Sequence, residues 1–234
     1  MLNKIFPVAA LASGLVLGAF AAPVHADVPA TETGLTAVGR FHTAMELAAW
    51  GREREDAVAL LAAARIVITD RRLPQAIDGP EQAIGDAEKP GTNTGPQTKA
   101  EHETVDLLSG LFADARRYAL GDEGLLTMVA ETEQSASRES VSGKGHWDAR
   151  ISARKKQSFH ETYYGGRMAE ASVAGDGDTD VDLYVFDENG NEVCRSVGST
   201  DREYCQWTPA RTARYEIVVG NFGHVYNDVV VRTN

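Results

Sequence analysis

The stretch GDGDTDVDLYVF, residues 175–186, decides how the C-terminal half of this chain folds. Its first part combines Gly with Asp, two residue types that favour turns. Its second part alternates apolar and polar residues, so Val181, Leu183 and Val185 fall on one face of an extended chain. The stretch therefore predicts an acidic turn that leads into a strand with one face in the core.

Short runs with the same alternation surround this stretch. They are rich in Val, Ile, Tyr and Phe, turn residues separate them, and Asn189-Gly190 is a hairpin signal. The predicted strands are His146–Ala153, Ser158–Tyr164, Ala169–Ala174, Val181–Phe186, Glu192–Cys194, Tyr204–Trp207, Tyr215–Val219 and Val225–Arg232. Strands this short and numerous, in residues 146–234, predict an antiparallel β-sandwich or barrel.

Residues 27–137 have the periodicity of helices instead. Val38, Phe41 and Met45 recur at three- and four-residue steps, and similar stripes follow further along the chain. Gly51 is expected to end the first helix, and Asp122 to cap the last. The fold class expected is thus α+β as two domains, with all-α helical hairpins preceding a jelly-roll-like antiparallel β-sandwich.

Two segments interrupt these patterns. Residues 73–98 carry Pro74, Pro80, Pro90 and Pro96 with interleaved glycines, a composition that excludes a long helix and favours a disordered connector over a functional lid. Residues 138–145 are short and polar, and we interpret them as the linker between the helical part and the sandwich, residues 146–234.

The first 26 residues read as a targeting segment. Lys4 precedes an apolar run that Pro7, Gly14 and Gly18 interrupt, and Ala26 is a small residue at a suitable cleavage point. This pattern is typical of a secretory signal peptide, whereas a membrane anchor needs a longer uninterrupted run. We therefore expect a periplasmic or secreted protein with no membrane span in the mature chain.

Charge and cysteine content restrict the function further. The chain has 23 Lys and Arg against 34 Asp and Glu, a net charge of −11 that argues against nucleic-acid binding. Cys194 and Cys205 are the two cysteines of the chain, and no C-x-x-C motif is present. In an oxidising compartment they are expected to form a structural disulfide worth about 3 kcal/mol.

The C-terminal half resembles the bacterial pre-peptidase C-terminal domain family. The resemblance rests on Tyr164–Gly166, Gly175–Asp187, Asn189–Asn191, Trp207–Pro209, Tyr215–Asn221 and Thr233-Asn234, in that order. It implies a jelly-roll sandwich appended to a secreted protein, with a role in secretion or binding and no catalysis of its own. It also implies calcium as a candidate ion, since collagen-binding relatives use it. No peptidase domain precedes the module here.

The acidic turn is the candidate metal site. Asp178 and Asp180 are the candidate calcium ligands, because hard cations take several carboxylate oxygens. The spacing starts like an EF-hand loop, but Val181 stands where that motif needs Gly and Asp187 where it needs Glu. The alternative is a turn and strand entry in which Asp and Gly suit the backbone.

No catalytic motif is complete. His102 and Asp106 match only part of a zinc-protease helix, and they and the pair His42 and Glu46 fit exposed helical pairs better than a metal site. We therefore expect an exported non-catalytic binding protein. Its sandwich would bind an envelope or extracellular protein or polysaccharide, and its helices would engage a protein partner. The alternatives are a metal-dependent envelope hydrolase using His42 and His102, and a calcium-stabilised structural module.

Overall fold

Four helices and two five-stranded sheets form the part of the chain that a computed structural model describes. The described residues are 35–70, 75–77, 79–84, 96, 98–100, 106–136 and 145–234. The predicted signal peptide, residues 1–26, and nearly all of the predicted linker, residues 138–145, lie outside them. The expected fold class, helices followed by an antiparallel sandwich, is confirmed.

The four helices form two sequential pairs, the first with the second and the third with the fourth, each joined by a short connection. Thr36 caps the first helix by accepting a hydrogen bond from the Gly39 amide at 3.0 Å, and Asp56 caps the second in the same way. As predicted, Asp122 accepts from the Leu125 amide, at 3.0 Å, at the start of the last helix. The helices are α1 (Ala37–Arg54), α2 (Ala57–Thr69), α3 (Leu107–Tyr118) and α4 (Glu123–Ala136).

Helix α1 runs past Gly51, which was expected to end it. It ends instead at Arg54, and Glu55 takes the left-handed conformation with φ of 54°. Gly51 is buried, and a Cβ there would lie 3.1 Å from side-chain atoms of Ala59 and Leu60. This glycine therefore serves close packing between α1 and α2, a role that a sequence pattern does not separate from a helix stop. None of the described helices is both long and apolar enough to span a membrane.

The eight strands of the C-terminal part form a jelly roll. They follow two short strands, β1 (Gln75–Ala76) and β2 (Gln82–Ala83), and are β3 (His146–Ile151), β4 (Lys155–Tyr163), β5 (Ala169–Ala174), β6 (Val181–Phe186), β7 (Glu192–Ser196), β8 (Arg202–Trp207), β9 (Ala213–Asn221) and β10 (Asn227–Thr233). One sheet has the order β3-β10-β5-β8 and the other has the order β4-β9-β6-β7, which is the strand arrangement of two interleaved Greek keys.

The segment expected to be a disordered connector contributes two further strands. β1 (Gln75–Ala76) pairs in parallel with β3, and β2 (Gln82–Ala83) pairs antiparallel with β4. Both sheets thereby gain a short outer strand. Gly79 lies so close to the β4 backbone that a Cβ would stand 2.1 Å from the carbonyl oxygen of Ser158. The glycine at this position thus permits the segment to approach the sandwich closely.

Two buried clusters form the core, and they meet where α1 crosses the sandwich. The inner faces of the sheets bury Val181, Leu183 and Val185, as the alternation predicted. The helical cluster includes Ala174 of β5, and Val230 of β10 packs against it. Helix α1 therefore rests on β5, β8 and β10, and this contact places its outer face beside one end of the sandwich.

Candidate functional site: the helix–sandwich cleft

The disulfide joins the open edges of the two sheets. Cys194 of β7 and Cys205 of β8 are bonded, with their Cα atoms 5.9 Å apart, which confirms the predicted pairing. The Ser196 hydroxyl, also on β7, donates to the Glu203 carboxylate on β8. Since β7 and β8 are the outer strands on this side of their sheets, these links close the sandwich at one edge.

Two loops at the adjoining end form a rim. They are residues 175–180 between β5 and β6, and residues 197–201 between β7 and β8, and we call them the rim loops. The Gly175 amide donates to the Asp201 carbonyl at 2.8 Å, and the Val181 amide donates to the Thr200 carbonyl at 3.0 Å. Gly177 has φ of +99°, which only glycine adopts without strain. The turn chemistry predicted for this stretch thus holds one loop against the other.

Four buried carboxylates lie in the rim loops and at the starts of β6 and β8, and we call Asp180, Asp182, Asp201 and Glu203 the buried acidic cluster. Asp180 is 3% exposed, and neither of its carboxylate oxygens has a hydrogen-bond partner among the described residues. Tyr184 donates to Asp182 at 2.9 Å, and Asp201 pairs with the Arg202 guanidinium at 2.6 Å. Within the described part of the chain, the cluster therefore combines hydrogen-bonded acids with one acid that has no such bond.

Burial controls the protonation of this cluster. Loss of solvation raises the pKa of Asp182 to about 6 and the pKa of Glu203 to about 7. Loss of solvation also raises the pKa of Asp180, and the nearby Asp201 adds to the effect. Negative charges confined together away from water disfavour one another's ionisation. The cluster therefore gains charge as the pH rises through neutrality, and that charge opposes folding.

The two predicted calcium ligands lie in different surroundings. Asp178 is half-exposed in a rim loop and forms an ion pair with the Lys99 ammonium at 2.8 Å, and Asp176 pairs with the same ammonium. Asp180 belongs to the buried acidic cluster instead. Over the ranges that the structure describes, no group of three or more His, Cys, Asp or Glu side chains is arranged to hold a metal ion. Calcium at Asp178 and Asp180 stays a prediction.

Lys99 also fixes the end of the proline-rich segment to the sandwich. Its ammonium lies 4.4 Å from the centre of the Tyr226 ring, and the Tyr226 hydroxyl donates to the Ala100 carbonyl at 2.7 Å. Although burial opposes it, hydrogen bonding to Asp176 and Asp178 raises the pKa of Lys99. A lysine contributed by the chain itself therefore neutralises the outer part of the acidic turn.

A cleft of about 410 Å³ separates the rim loops from helix α1. One wall of the cleft is a single face of α1, because its residues recur at three- and four-residue steps. They include Glu46, Ala49, Trp50 and Glu53. The opposite wall is the backbone of Gly175 and Gly177 with the side chains of Asp201 and Arg202. Both the helices and the jelly roll are thus needed to build the cleft.

The polar groups in the cleft are largely paired with one another. Arg202 bridges the two walls, with Nε 3.0 Å from Oε1 of Glu46 and Nη1 2.6 Å from Oδ1 of Asp201. Arg52 pairs with Asp114 of α3 at 2.8 Å. These pairs balance most of the charge along the cleft, and they fix the carboxylates and guanidinium groups in place.

Trp50 is an exposed aromatic residue of the cleft. The residue is 45% exposed, and the Arg54 guanidinium lies 5.7 Å from the ring centre. Sequence reasoning did not single it out. The available signal was its position: Trp50 lies on the face of α1 opposite the apolar stripe, together with Glu46 and Glu53, where a tryptophan has no core to fill.

His42, a candidate for the alternative metal hydrolase, lies in the helix–sandwich contact. Its ring centre is 5.2 Å from that of Tyr204, and its Nδ1 is 3.4 Å from the Ser172 hydroxyl. With Glu46 one turn away, this set superficially matches a Ser-His-Glu triad. Ser172 is fully buried, however, so no substrate reaches its hydroxyl. Burial lowers the pKa of His42, although Glu46 opposes the effect. His102 lies outside the described residues.

Comparison with known proteins finds distant likenesses in structure. No family model and no curated protein matches this chain. Among solved structures, the pre-peptidase C-terminal domain of a Bacillus anthracis collagenase is 9% identical, covers 37% of this chain and 87% of its own, and has a TM-score of 0.32.

Two further solved structures give likenesses of the same order. The Yersinia pseudotuberculosis-derived mitogen is 12% identical over 38% of this chain and 82% of its own, with a TM-score of 0.32. Aeromonas hydrophila PliG, a periplasmic inhibitor of g-type lysozyme, is 17% identical over 39% of this chain and 89% of its own, with a TM-score of 0.24. The resemblance of the C-terminal half to the pre-peptidase C-terminal domain is thus a distant one of fold, and no function follows from these likenesses.

Proposed function

We propose that this chain is an exported, non-catalytic binding protein whose ligand site is the helix–sandwich cleft. The observation that carries the proposal is the cleft itself, because its two walls come from parts of the chain that are far apart in sequence. The Arg202–Glu46 pair that spans it joins residues 156 positions apart. A concave space lined by paired polar groups and an exposed aromatic ring has the character of a ligand site.

Export and the lack of catalysis are supported separately. The N-terminal sequence has the features of a signal peptide, and a disulfide between Cys194 and Cys205 suits an oxidising compartment. Among the described residues, the nearest approach to a catalytic arrangement is the set around His42, whose serine is buried. The ligand we propose is an envelope or extracellular component, protein or polysaccharide, held in the cleft.

The experiment is co-sedimentation of purified residues 27–234 with the insoluble envelope fraction of the producing cells. Ala49→Phe places a large side chain in the cleft and should abolish co-sedimentation, whereas Ala130→Phe, a matched change at an exposed position of α4, should leave it intact. Equal binding by both variants would remove the cleft from the function. Release of soluble sugar or peptide from the fraction by the wild-type protein would overturn the non-catalytic assignment.

A further inference from the structure

We infer that the helix–sandwich cleft binds a neutral oligosaccharide, with Trp50 as the surface on which one sugar ring stacks. The inference rests on the proposed function and names the ligand class of the same site. The polar and aromatic groups that line the cleft, rather than the fold, point to this class.

The indole ring provides the apolar part of such a site. Trp50 stays 45% exposed beside polar side chains, so part of its indole surface is available to a ligand that is itself only partly apolar. A pyranose ring presents a face of C–H groups, and the electron-rich face of an aromatic ring attracts such weakly positive hydrogens. The Arg54 guanidinium, 5.7 Å from the ring centre, restrains the ring and reduces the entropy lost on binding.

The charged groups of the cleft suit hydroxyl groups. The exposed Glu46 carboxylate pairs with Arg202, yet it keeps further lone pairs that accept from hydroxyls. Glu53 lies one turn beyond Trp50 on the same face and offers a further acceptor. Paired charges that present both donors and acceptors match a neutral ligand with many hydroxyl groups.

Other ligand classes fit less well. A polyanion would approach acidic residues on both walls of a chain whose net charge is −11, and like charges repel. An extended peptide that binds by adding a strand would need an open strand edge, but the walls here are a helix face and two loops. A divalent cation would need three or more ligands, and no such group occurs among the described residues.

The test is titration of purified residues 27–234 with defined neutral tetrasaccharides, namely cellotetraose, maltotetraose and chitotetraose, by isothermal calorimetry. Tetragalacturonate serves as the anionic comparison. We expect at least one neutral probe to bind with a dissociation constant of about 10 mM or lower. Tetragalacturonate should bind more weakly than that probe. Trp50→Ala should weaken binding about tenfold, because stacking on the ring is lost. Glu53→Gln should weaken it about threefold.

The matched control is Tyr164→Ala. Tyr164 is another exposed aromatic residue with an arginine over its ring, the Arg167 guanidinium at 5.4 Å, but it lies outside the cleft. Its removal should leave the affinity unchanged. Because Trp50 is exposed, both variants should keep the wild-type melting temperature, and Trp50→Phe supplies a second variant with intermediate affinity.

The outcomes separate the inference from the function on which it rests. No binding of any neutral probe, or equal affinity of wild type and Trp50→Ala, overturns the saccharide inference. If Ala49→Phe still abolishes co-sedimentation with the envelope fraction in that case, the cleft binds another ligand class and the proposed function stands. If changes in the cleft alter neither oligosaccharide binding nor co-sedimentation, both the saccharide inference and the proposed function fail.

Discussion

Replacement of Glu203 by glutamine should make the protein more stable at neutral and alkaline pH. Glu203 is 7% exposed on β8, and its carboxylate accepts from Ser196 while Asp180, Asp182 and Glu46 add negative charge around it. Loss of solvation, with these charges, raises its pKa from 4.5 to about 7. At 1.36 kcal/mol per pKa unit, ionisation in the folded state costs about 3 kcal/mol more than in the unfolded chain.

The sign of the pH dependence follows from the raised pKa. Below the unfolded value of 4.5, Glu203 is protonated in both states and imposes no penalty. As the pH rises to about 7, the unfolded chain releases its proton first, so stability falls until the folded form has also ionised. Glutamine carries no charge at any pH and still accepts from Ser196. The figure is an upper limit, since neighbouring carboxyls bind protons as Glu203 ionises.

The assay is urea denaturation of residues 27–234 at intervals from about pH 4 to pH 8, with the wild type and Glu203→Gln measured side by side. The free energy of unfolding should be equal for both near pH 4 and should differ by up to about 3 kcal/mol, in favour of the variant, near pH 8. Glu131→Gln, at an exposed position of α4, is the control and should show no such trend. A difference that is independent of pH, or that favours the wild type as pH rises, would refute the reasoning.

Three further predictions concern the disulfide, Lys99 and calcium. Replacing Cys194 and Cys205 together by alanine should lower the free energy of unfolding, measured in urea, by about 3 kcal/mol. Reductant should destabilise the wild type but should have no effect on this variant. Lys99→Met should lower the free energy of unfolding by about 2 kcal/mol, because it leaves the Asp176 and Asp178 carboxylates without their cation. An unchanged urea midpoint would show that these ion pairs do not stabilise the fold. If Asp178 and Asp180 bind calcium, about 2 mM calcium should raise the melting temperature, and Asp178→Asn with Asp180→Asn should abolish the rise. An unchanged melting temperature would remove the calcium site and leave Lys99 as the counter-ion of Asp178.

The elements of the fold could largely be predicted from local patterns. The alternation of Val181, Leu183 and Val185 located a strand whose one face is buried, and the Asn189-Gly190 signal located the turn before β7. Such patterns are local because buried positions recur every two residues in a strand and every three or four residues in a helix. The prediction for Gly51 was wrong, since the same residue type both ends helices and lets helices pack closely.

The candidate functional site could be predicted less well from sequence patterns. Asp178 and Asp180 are the predicted calcium ligands and lie two residues apart in sequence, yet the Asp178 carboxylate pairs with Lys99 and the Asp180 carboxylate is buried beside Asp201. The chain bends at residues 177–179, so closeness in sequence does not give the two carboxylates the same surroundings. Lys99 itself directly follows the proline-rich segment, whose described residues pair with the sandwich through β1 and β2 rather than standing apart from it.

The sequence by itself determined which segments form the helices and the strands β3–β10, that the two cysteines pair, and that the chain turns at residues 175–180. These features depend on neighbouring residues or, for the cysteines, on the absence of other partners in the chain. Only the tertiary structure decided that Arg202 meets Glu46, 156 positions away, and that Trp50 faces a cleft rather than open solvent. The physical reason is that burial, pKa and ligand geometry arise from contacts between elements whose order along the chain does not specify their packing.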